Sequence, residues 1–183
     1  VTGIEIDLRI GRMPIQPWQI VAEASAAVHA VEPPPGHVLP YRDRRQHRAE
    51  VLHELFDGLD IQPAVTQDAR AWMGEQVDRS GPGALLHGDL LGHNLRLHPD
   101  EELGLIDWEY AELGDPAHDL AIVARGVRRP FQCPDGRDRL LAAYSARAAV
   151  EVTSSDLRFF ELALLVRWSG AHPDRRDELH GAI

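Results

Sequence analysis

Residues 86–97 read L-H-G-D-L-L-G-H-N-L-R-L, and residues 103–110 read L-G-L-I-D-W-E-Y. Short apolar runs alternate with polar turns through both stretches, which is typical of small strands joined by loops. Asp89, Asn94 and Asp107 fall on these loops, where side chains are not tied to one face of a helix and are able to converge. The two stretches therefore predict a group of three oxygen-bearing side chains carried by short strands.

The oxygen chemistry of this group suits magnesium. Carboxylate and carboxamide oxygens are hard ligands, and Mg²⁺ usually keeps several waters while it binds one or two protein carboxylates and the phosphates of a substrate. Two protein ligands of this kind are therefore sufficient. A third carboxylate beside them is able to orient a hydroxyl group.

Three motifs in this part of the chain resemble the aminoglycoside phosphotransferase family, which shares the protein-kinase-like fold. They are His87-Gly88-Asp89, Asn94 five residues after Asp89, and Ile106-Asp107-Trp108-Glu109. Protein kinases have the same aspartate-to-asparagine spacing in their catalytic loop, and an aspartate opens their magnesium-binding DFG motif. The resemblance spans residues 4–170, its specific part is 86–121, and it includes Ala26-Ala27-Val28-His29, Gly114-Asp115-Pro116 and Asp119-Leu120-Ala121.

The resemblance implies a role for each matching residue. Asp89 is the catalytic residue that accepts or orients the proton of the substrate hydroxyl. Asn94 and Asp107 bind Mg²⁺ and, through it, ATP. His87 and Asp119 are expected to be structural and to brace the loop, because an aspartate at the start of a helix satisfies free backbone donors.

Glu109 and Asp115 are candidate substrate-binding residues with a second interpretation left open. Either carboxylate is able to contact a cationic substrate or Mg²⁺. Turn formation at Gly114-Asp115-Pro116 explains Asp115 equally well without any ligand.

The part of the kinase pattern that grips the nucleotide phosphates is not found in this sequence. Kinases use a glycine-rich loop and a lysine on the third strand of the upper lobe, but no G-x-G-x-x-G occurs and all 19 basic residues are arginine. Residues 4–10 alternate like a half-buried strand and resemble the last strand of that upper lobe. We therefore expect this strand and the hinge in residues 1–12, a helical C-terminal lobe in residues 13–183 with its catalytic loop at 86–109, and an incomplete ATP site.

The expected fold class is α+β and mainly α-helical: the C-terminal lobe of the protein-kinase-like fold, with the nucleotide lobe largely missing. Pro17 suits the first turn of a helix, Thr66 is a candidate N-cap, and Thr153 with Asp156 has the spacing of a capping box. Apolar residues at three-to-four spacing mark the helices themselves. The predicted helices are 18–31, 42–56, 66–77, 117–123, 138–146 and 157–168, and the predicted strands are 84–86, 95–97 and 103–106.

Composition excludes several other classes of protein. With 183 residues, 44% of them apolar and 26% charged, the chain suits one globular domain. Its net charge of −10 disfavours nucleic acid and favours cationic ligands. Cys133 is the single cysteine, which excludes an internal disulfide, and neither a membrane-spanning run nor a signal sequence is present. These features predict a cytoplasmic protein.

The ten histidines do not have the spacing of a metal cluster. No H-E-x-x-H motif occurs, and His47 and His53, six residues apart on a predicted helix, point to different faces. We therefore predict no histidine-rich metal site.

The expected function is a small-molecule phosphotransferase that moves the γ-phosphate of ATP to a hydroxyl of an aminoglycoside-like acceptor, as antibiotic-resistance kinases do. The acceptor is a cationic or hydroxyl-bearing molecule, because macrolide, aminoglycoside, choline and homoserine kinases share this loop pattern. The chain is expected to be incomplete and inactive alone. The alternatives are a non-catalytic, degenerate binding module and a Mg²⁺-dependent phosphohydrolase that uses Asp89 on water. The exposed edge of strand 4–10 is expected to pair with the short strands of the catalytic loop, with a partner chain or with a second copy.

Overall fold

The structure is a computed structural model that describes residues 4–5, 15–33, 35–36, 38–57, 63–97, 103–125, 131 and 133–171. These residues form six α-helices and five short β-strands. Among them, no helix is both long and apolar enough to cross a membrane.

Helix α1 runs Pro17–His29. Pro17 begins it as predicted, because the first turn of a helix needs no amide donor there. The helix ends two residues before the predicted boundary, and the amide of Ala30 closes its last turn on the carbonyl of Ala26 at 3.1 Å. Three prolines follow this turn and prevent the helix from continuing.

Helix α2 runs Arg44–Asp57 and begins two residues later than the apolar pattern predicted. A capping box explains the difference: Asp43 Oδ1 accepts the amide of Gln46 at 2.7 Å, and Gln46 Oε1 accepts the amide of Asp43 at 2.9 Å. The sequence signal for this box is an aspartate followed by a glutamine three residues later.

Helix α3 runs Pro63–Glu75, so the predicted N-cap at Thr66 is wrong. Thr66 lies inside the first turn, because Pro63 supplies the first helical residue. Ala69 and Met73 are fully buried, as the predicted apolar face requires.

The strands form two small antiparallel sheets. Their ranges are β1 Ile4–Glu5, β2 Ala84–Leu86, β3 Leu95–Leu97, β4 Leu103–Leu105 and β5 Glu112–Gly114. One sheet has the order β1-β3-β4, and the other pairs β2 with β5. The short β5 was interpreted from the sequence as part of a turn, since three residues are too few to show alternation.

The N-terminal strand pairs with the strand that follows the H-G-D loop. Ile4 lies opposite Leu97 and Glu5 opposite Arg96. Pairing with the short strands of the catalytic loop is therefore confirmed for these two residues. Residues 6–10 of the predicted strand lie outside the described part of the chain.

Helices α4, α5 and α6 run Ala117–Arg125, Gly136–Ser145 and Ser154–Ala171. The capping box before α6 is confirmed, because Asp156 Oδ2 accepts the amide of Thr153 at 2.8 Å and Thr153 Oγ1 accepts the amide of Asp156 at 3.2 Å. Helix α6 starts three residues before the predicted boundary, which had been placed at the first apolar residue.

The apolar core lies between the helices, and the short strands of the loops pack against it. Helix α4 packs mainly on α6, and α1 packs mainly on α5. The predicted stripe on α6 is buried, but this helix is buried almost all round. Its buried apolar residues are Leu157, Phe159, Phe160, Leu162, Ala163, Leu164, Leu165 and Val166.

Candidate active site

Two backbone positions shape the loops that carry the predicted site. Gly88 has φ +78° and Asp107 has φ +65°, both in the left-handed region. A Cβ on Gly88 would lie 2.1 Å from the carbonyl oxygen of Tyr110, so only glycine fits between these two loops. Asp107 keeps an unfavourable conformation for a residue with a side chain, which is common at functional sites.

His87 joins the loop that carries Asp89 to the loop that carries Asp107. Its Nε2 lies 2.9 Å from the carbonyl oxygen of Ile106, and its Nδ1 lies 3.3 Å from the amide nitrogen of Asp89. The amide donates to Nδ1, so the proton of the ring is on Nε2 and is donated to Ile106. The ring therefore holds Ile106, which precedes Asp107, close to Asp89, which follows Gly88.

Asn94 is brought directly to Asp89. Its side-chain Nδ2 donates to the backbone oxygen of Asp89 at 2.8 Å and to the carboxylate Oδ2 at 3.0 Å. The backbone oxygen of Asn94 accepts the amide of Ile106 at 3.1 Å. These contacts join the loop of Asp89 and Asn94 to Ile106, the residue before Asp107. The convergence of all three side-chain oxygens stays a prediction.

The donor set at these loops fits a hard divalent cation. The side-chain nitrogen of Asn94 donates its hydrogen bonds to Asp89. Within the described residues, the side-chain oxygen of Asn94 accepts no hydrogen bond. The exposed carboxylate of Asp107 likewise has no ion pair there. One carboxamide oxygen and one carboxylate are enough for Mg²⁺ that also keeps waters and phosphate oxygens.

Asp119 braces the loop from the helix beneath it. The residue lies in the first turn of α4 and is fully buried. Its Oδ2 accepts the amide of His87 at 2.8 Å, and its Oδ1 accepts the amide of Gly88 at 2.9 Å. Burial acts to raise the pKa of Asp119, but hydrogen bonds from His29 and from the His87 amide outweigh it and hold that pKa below its usual value.

The structure separates the two ambiguous carboxylates. Asp115 is fully buried, where its Oδ2 accepts Arg48 Nε at 2.7 Å and lies 3.0 Å from Arg44 Nε. Its Oδ1 caps α4 by accepting the amide of Ala117 at 3.0 Å. These contacts favour the turn-forming interpretation of Asp115. Glu109, by contrast, is exposed on the turn after Asp107.

An exposed pair of aromatic residues flanks Glu109, and the sequence reasoning had assigned them no role. Trp108 is 41% exposed and Tyr110 is 61% exposed. The ring of Trp108 lies 4.7 Å, between centroids, from the ring of His87, and Tyr110 lies against Gly88. Their position one to three residues after Asp107, the predicted metal ligand, was the available signal.

A second polar cluster combines residues that are distant in sequence. Glu112 Oε1 lies 3.4 Å from His47 Nε2 and 3.6 Å from His118 Nδ1. The three side chains could hold a metal ion by distance alone, and they line a pocket of about 130 Å³ with Arg42 and Arg167. The histidine spacing gave no sign of this grouping, because α2, β5 and α4 bring it together.

The hydrogen bonding of His47 does not fit a metal ligand. Its Nδ1 accepts the amide of Asp115 at 2.9 Å, so the ring carries its proton on Nε2, which faces Glu112. A ligating histidine presents one unprotonated nitrogen to the metal and donates from the other. This polar group is therefore better described as a partly buried polar cluster than as a metal centre.

A lobe built from helices, with an H-G-D loop, a carboxamide at the fifth following position and a D-W-E turn joined to it, defines a kinase-like phosphotransferase. The sequence model of the phosphotransferase enzyme family matches residues 18–173. The chain belongs to this family. The expected protein-kinase-like fold is thereby confirmed.

Individual proteins resemble parts or most of the chain. A curated mouse protein, acyl-CoA dehydrogenase family member 10, is 35% identical over 65 residues, which are 34% of this chain and 6% of that protein. A solved macrolide 2′-phosphotransferase type I is 22% identical with a TM-score of 0.62, over 90% of this chain and 56% of that one. A choline/ethanolamine kinase family protein from Mesorhizobium loti is 17% identical with a TM-score of 0.63, over 90% and 61%. The chain thus spans about three fifths of these two structures, whose likeness shows the fold.

Proposed function

We propose that this chain provides the acceptor-binding and metal-binding lobe of an ATP-dependent small-molecule phosphotransferase. In the proposed reaction an acceptor hydroxyl oxygen attacks the γ-phosphorus of ATP, the bond from that phosphorus to the β–γ bridging oxygen breaks, and ADP leaves. Asp89 accepts the hydroxyl proton, while Asn94 and Asp107 hold the Mg²⁺ that neutralises the phosphate charge. Position and charge neutralisation are what this chemistry asks of a protein.

The observation that carries the proposal is the contact between Asp89 and Asn94. The carboxamide donates to the carboxylate Oδ2 at 3.0 Å, which orients Asp89 while leaving the other carboxylate oxygen for a substrate hydroxyl. The same contact turns the Asn94 oxygen away from Asp89 and makes it available to a cation. One side chain therefore orders the base and supplies a metal ligand.

A cationic acceptor is favoured by charge and by the aromatic turn. Glu109 is exposed between Trp108 and Tyr110, and this turn lies against the loop that carries Asp89. An exposed carboxylate that is flanked in sequence by two exposed aromatic residues suits an ammonium group, for which Coulomb and cation–π attraction are both available. The net charge of −10 adds a long-range attraction for the same class of ligand.

This sequence lacks the residues with which kinases bind the phosphates of ATP. No lysine and no glycine-rich phosphate loop occur among the 183 residues. We therefore expect the chain to bind Mg-ATP weakly by itself, with dissociation constants well above the micromolar range in calorimetry. Micromolar affinity would contradict the proposal that phosphate binding depends on groups outside this sequence.

The metal site is tested with Mn²⁺, which shares the preference of Mg²⁺ for carboxylate and carbonyl oxygens. Electron paramagnetic resonance of the full chain is expected to show one bound Mn²⁺. The affinity for this ion should be at least tenfold lower in Asp107→Asn. Asp68→Asn, an exposed acid on α3, is the matched control and should bind normally. Equal Mn²⁺ affinity in Asp107→Asn and in the parent chain would refute the assignment.

The acceptor site is tested by its distance from the same ion. Bound Mn²⁺ should accelerate proton relaxation of an aminoglycoside such as kanamycin, and of choline, but not of sucrose. The effect should fall in Glu109→Gln and persist in Glu75→Gln, an exposed acid at the end of α3. Stronger relaxation of the neutral sugar would reject the cationic acceptor.

The same preparations separate the two alternative functions. Aminoglycoside binding that is insensitive to Mn²⁺ and to Asp107→Asn would identify a non-catalytic binding module. Mg²⁺-dependent release of phosphate from a monoester, lost in Asp89→Asn and independent of acceptor, would identify a phosphohydrolase. Either result would replace the phosphotransferase proposal.

A further inference from the structure

A buried chain of hydrogen bonds runs from α5 through α1 to the catalytic loop. The hydroxyl of Tyr144 lies 2.8 Å from His29 Nδ1, and His29 Nε2 lies 3.2 Å from Asp119 Oδ2. Tyr144, His29 and Asp119 are all buried. Asp119 in turn accepts the amides of His87 and Gly88, which directly precede Asp89.

The proton positions along this chain follow from the acceptor at its end. The Asp119 carboxylate accepts two backbone amides, and these bonds favour its ionised form. His29 must then present a protonated Nε2 to Asp119 Oδ2. The remaining nitrogen, Nδ1, is a lone-pair acceptor in the neutral ring, and the Tyr144 hydroxyl is the donor that faces it.

We propose that Tyr144 is a positioning residue for the catalytic loop, acting through the orientation of the His29 ring. Its hydroxyl donates to His29 Nδ1 and thereby holds the ring where Nε2–H donates to Asp119. Asp119 then holds the amides of His87 and Gly88 in the conformation that presents Asp89. The link to catalysis rests on the proposed function of Asp89, whereas the hydrogen-bond chain does not.

Removing the hydroxyl leaves the buried Nδ1 of His29 without its hydrogen-bond donor. Because an unsatisfied buried acceptor is costly, the ring is expected to turn toward another donor and to draw Nε2 away from Asp119. The side chain of Asp119 then loses one of its three donors. The packing of α5 on α1 is preserved in Tyr144→Phe, because the edge-to-face contact of the two rings, 5.6 Å between centroids, does not need the hydroxyl.

The first test compares Tyr144→Phe with the full parent chain by nuclear magnetic resonance. Long-range ¹H–¹⁵N spectra should show the His29 proton on Nε2 in both chains, because Asp119 fixes the tautomer, and this proton should exchange with water about five- to tenfold faster in the variant. Native-state hydrogen exchange of the His87 and Gly88 amides should become about five- to tenfold faster. Tyr41→Phe, at an exposed tyrosine, is the control and should change neither measurement.

A second variant separates the loss of the donor at Nδ1 from general loosening. Glutamine has an amide donor close to the position of histidine Nε2 and no ring nitrogen at the position of Nδ1, so it leaves no unsatisfied acceptor beside the phenylalanine. His29→Gln in the Tyr144→Phe background should therefore return the His87 and Gly88 amides to within about twofold of parent exchange.

Three results would overturn the inference: unchanged exchange of the His29 Nε2 proton in Tyr144→Phe, equal acceleration of exchange in all helices, or no rescue by His29→Gln. None of these measurements uses ATP, metal or acceptor. A failure of the proposed phosphotransferase function would appear in the Mn²⁺ and acceptor experiments instead, so the two failures are distinguishable.

Discussion

Gly88 is the residue at which the two loops of the site approach most closely. It combines a left-handed φ of +78° with a neighbouring carbonyl, that of Tyr110, which would lie 2.1 Å from any added Cβ. Gly36 has a similar φ of +83° but has nothing within 4 Å of such an atom. Substitutions at Gly36 and at Gly88 therefore separate the energetic cost of the backbone conformation from the cost of the steric clash.

We predict that Gly36→Ala lowers the free energy of unfolding by about 1 kcal/mol, since only the left-handed conformation is penalised. Gly88→Ala should cost about 1–3 kcal/mol more, because the Tyr110 backbone has to move. Urea denaturation of both variants measures the difference. Equal losses would show that the two loops are not in close contact.

The candidate site residues could be named from the sequence because the motif that resembles the family is local. Asp89, Asn94 and Asp107 lie within 19 residues, on loops between short strands. The sequence did not reveal the left-handed conformation of Asp107, since an aspartate there carries no local mark comparable to a glycine. It also left Asp115 open, and only burial beside two arginines distinguishes a turn residue from a ligand-binding one.

Helix α2 is joined to α6 and to the turn before α4 through a buried ionic network. Arg48, fully buried, donates to Asp115 and to Asp156, each at 2.7 Å. Arg44 lies 3.0 Å from Asp115 and 3.3 Å from Asp156. Two arginines and two aspartates thus balance their charges in the interior, and hydrogen bonds from Thr153 and Arg48 outweigh burial and lower the pKa of Asp156.

Because a buried charge without its partner is costly, Arg48→Met should lower the free energy of unfolding by about 3–5 kcal/mol. The control is Arg45→Met on the same helix, whose partner Asp78 is exposed and whose loss should have little effect. Calorimetric unfolding of both variants is the measurement. A small effect of Arg48→Met would mean that the network contributes no net stability.

At the scale of elements, periodicity predicted all six helices but placed their ends imperfectly. Apolar spacing marks the buried face, whereas the ends depend on single capping residues such as Asp43 and Pro63. Strand β5 was missed, since its three residues alternate too briefly to be distinguished from a turn. Its existence depends on pairing with β2, which is a tertiary contact.

The whole molecule contains a pH-sensitive position next to Asp119. Burial, with a smaller contribution from the Coulomb interaction with His47, lowers the pKa of His118 from 6.5 to about 4, despite the opposing charges of Asp119 and Glu112. Between these pH values the unfolded chain binds more protons at this residue than the folded chain does. Stability therefore rises with pH across this window and is lost as the pH falls from 6.5 toward 4.

We expect the free energy of unfolding to fall by up to about 3 kcal/mol between pH 6.5 and pH 4 because of His118. His118→Gln, which does not titrate, should flatten the slope in this range, measured by urea denaturation at several pH values. His53→Gln, an exposed histidine on α2, should leave the slope as in the parent chain. An unchanged slope in His118→Gln would contradict the assignment.

The grouping of His47, Glu112 and His118 shows where sequence reasoning ends at this scale. These residues are separated by up to 71 positions, as 118 − 47 gives, and each sits on a different element. No spacing rule connects them, because their proximity results from the packing of α2 and α4 with β5. The overall fold was nonetheless predictable, since the H-G-D motif identified a family whose architecture is shared.

The pairing of Ile4 and Glu5 with β3 gives the two ends of the molecule different mechanical properties. Their partners, Leu97 and Arg96, follow Asn94 within three residues. A tether fused at the N-terminal end would transmit force directly to the strand beside Asn94, a proposed metal ligand. The same tether attached after α6 would first pull on the helical core, so an immobilised sensor or an optical-trap handle belongs at that end.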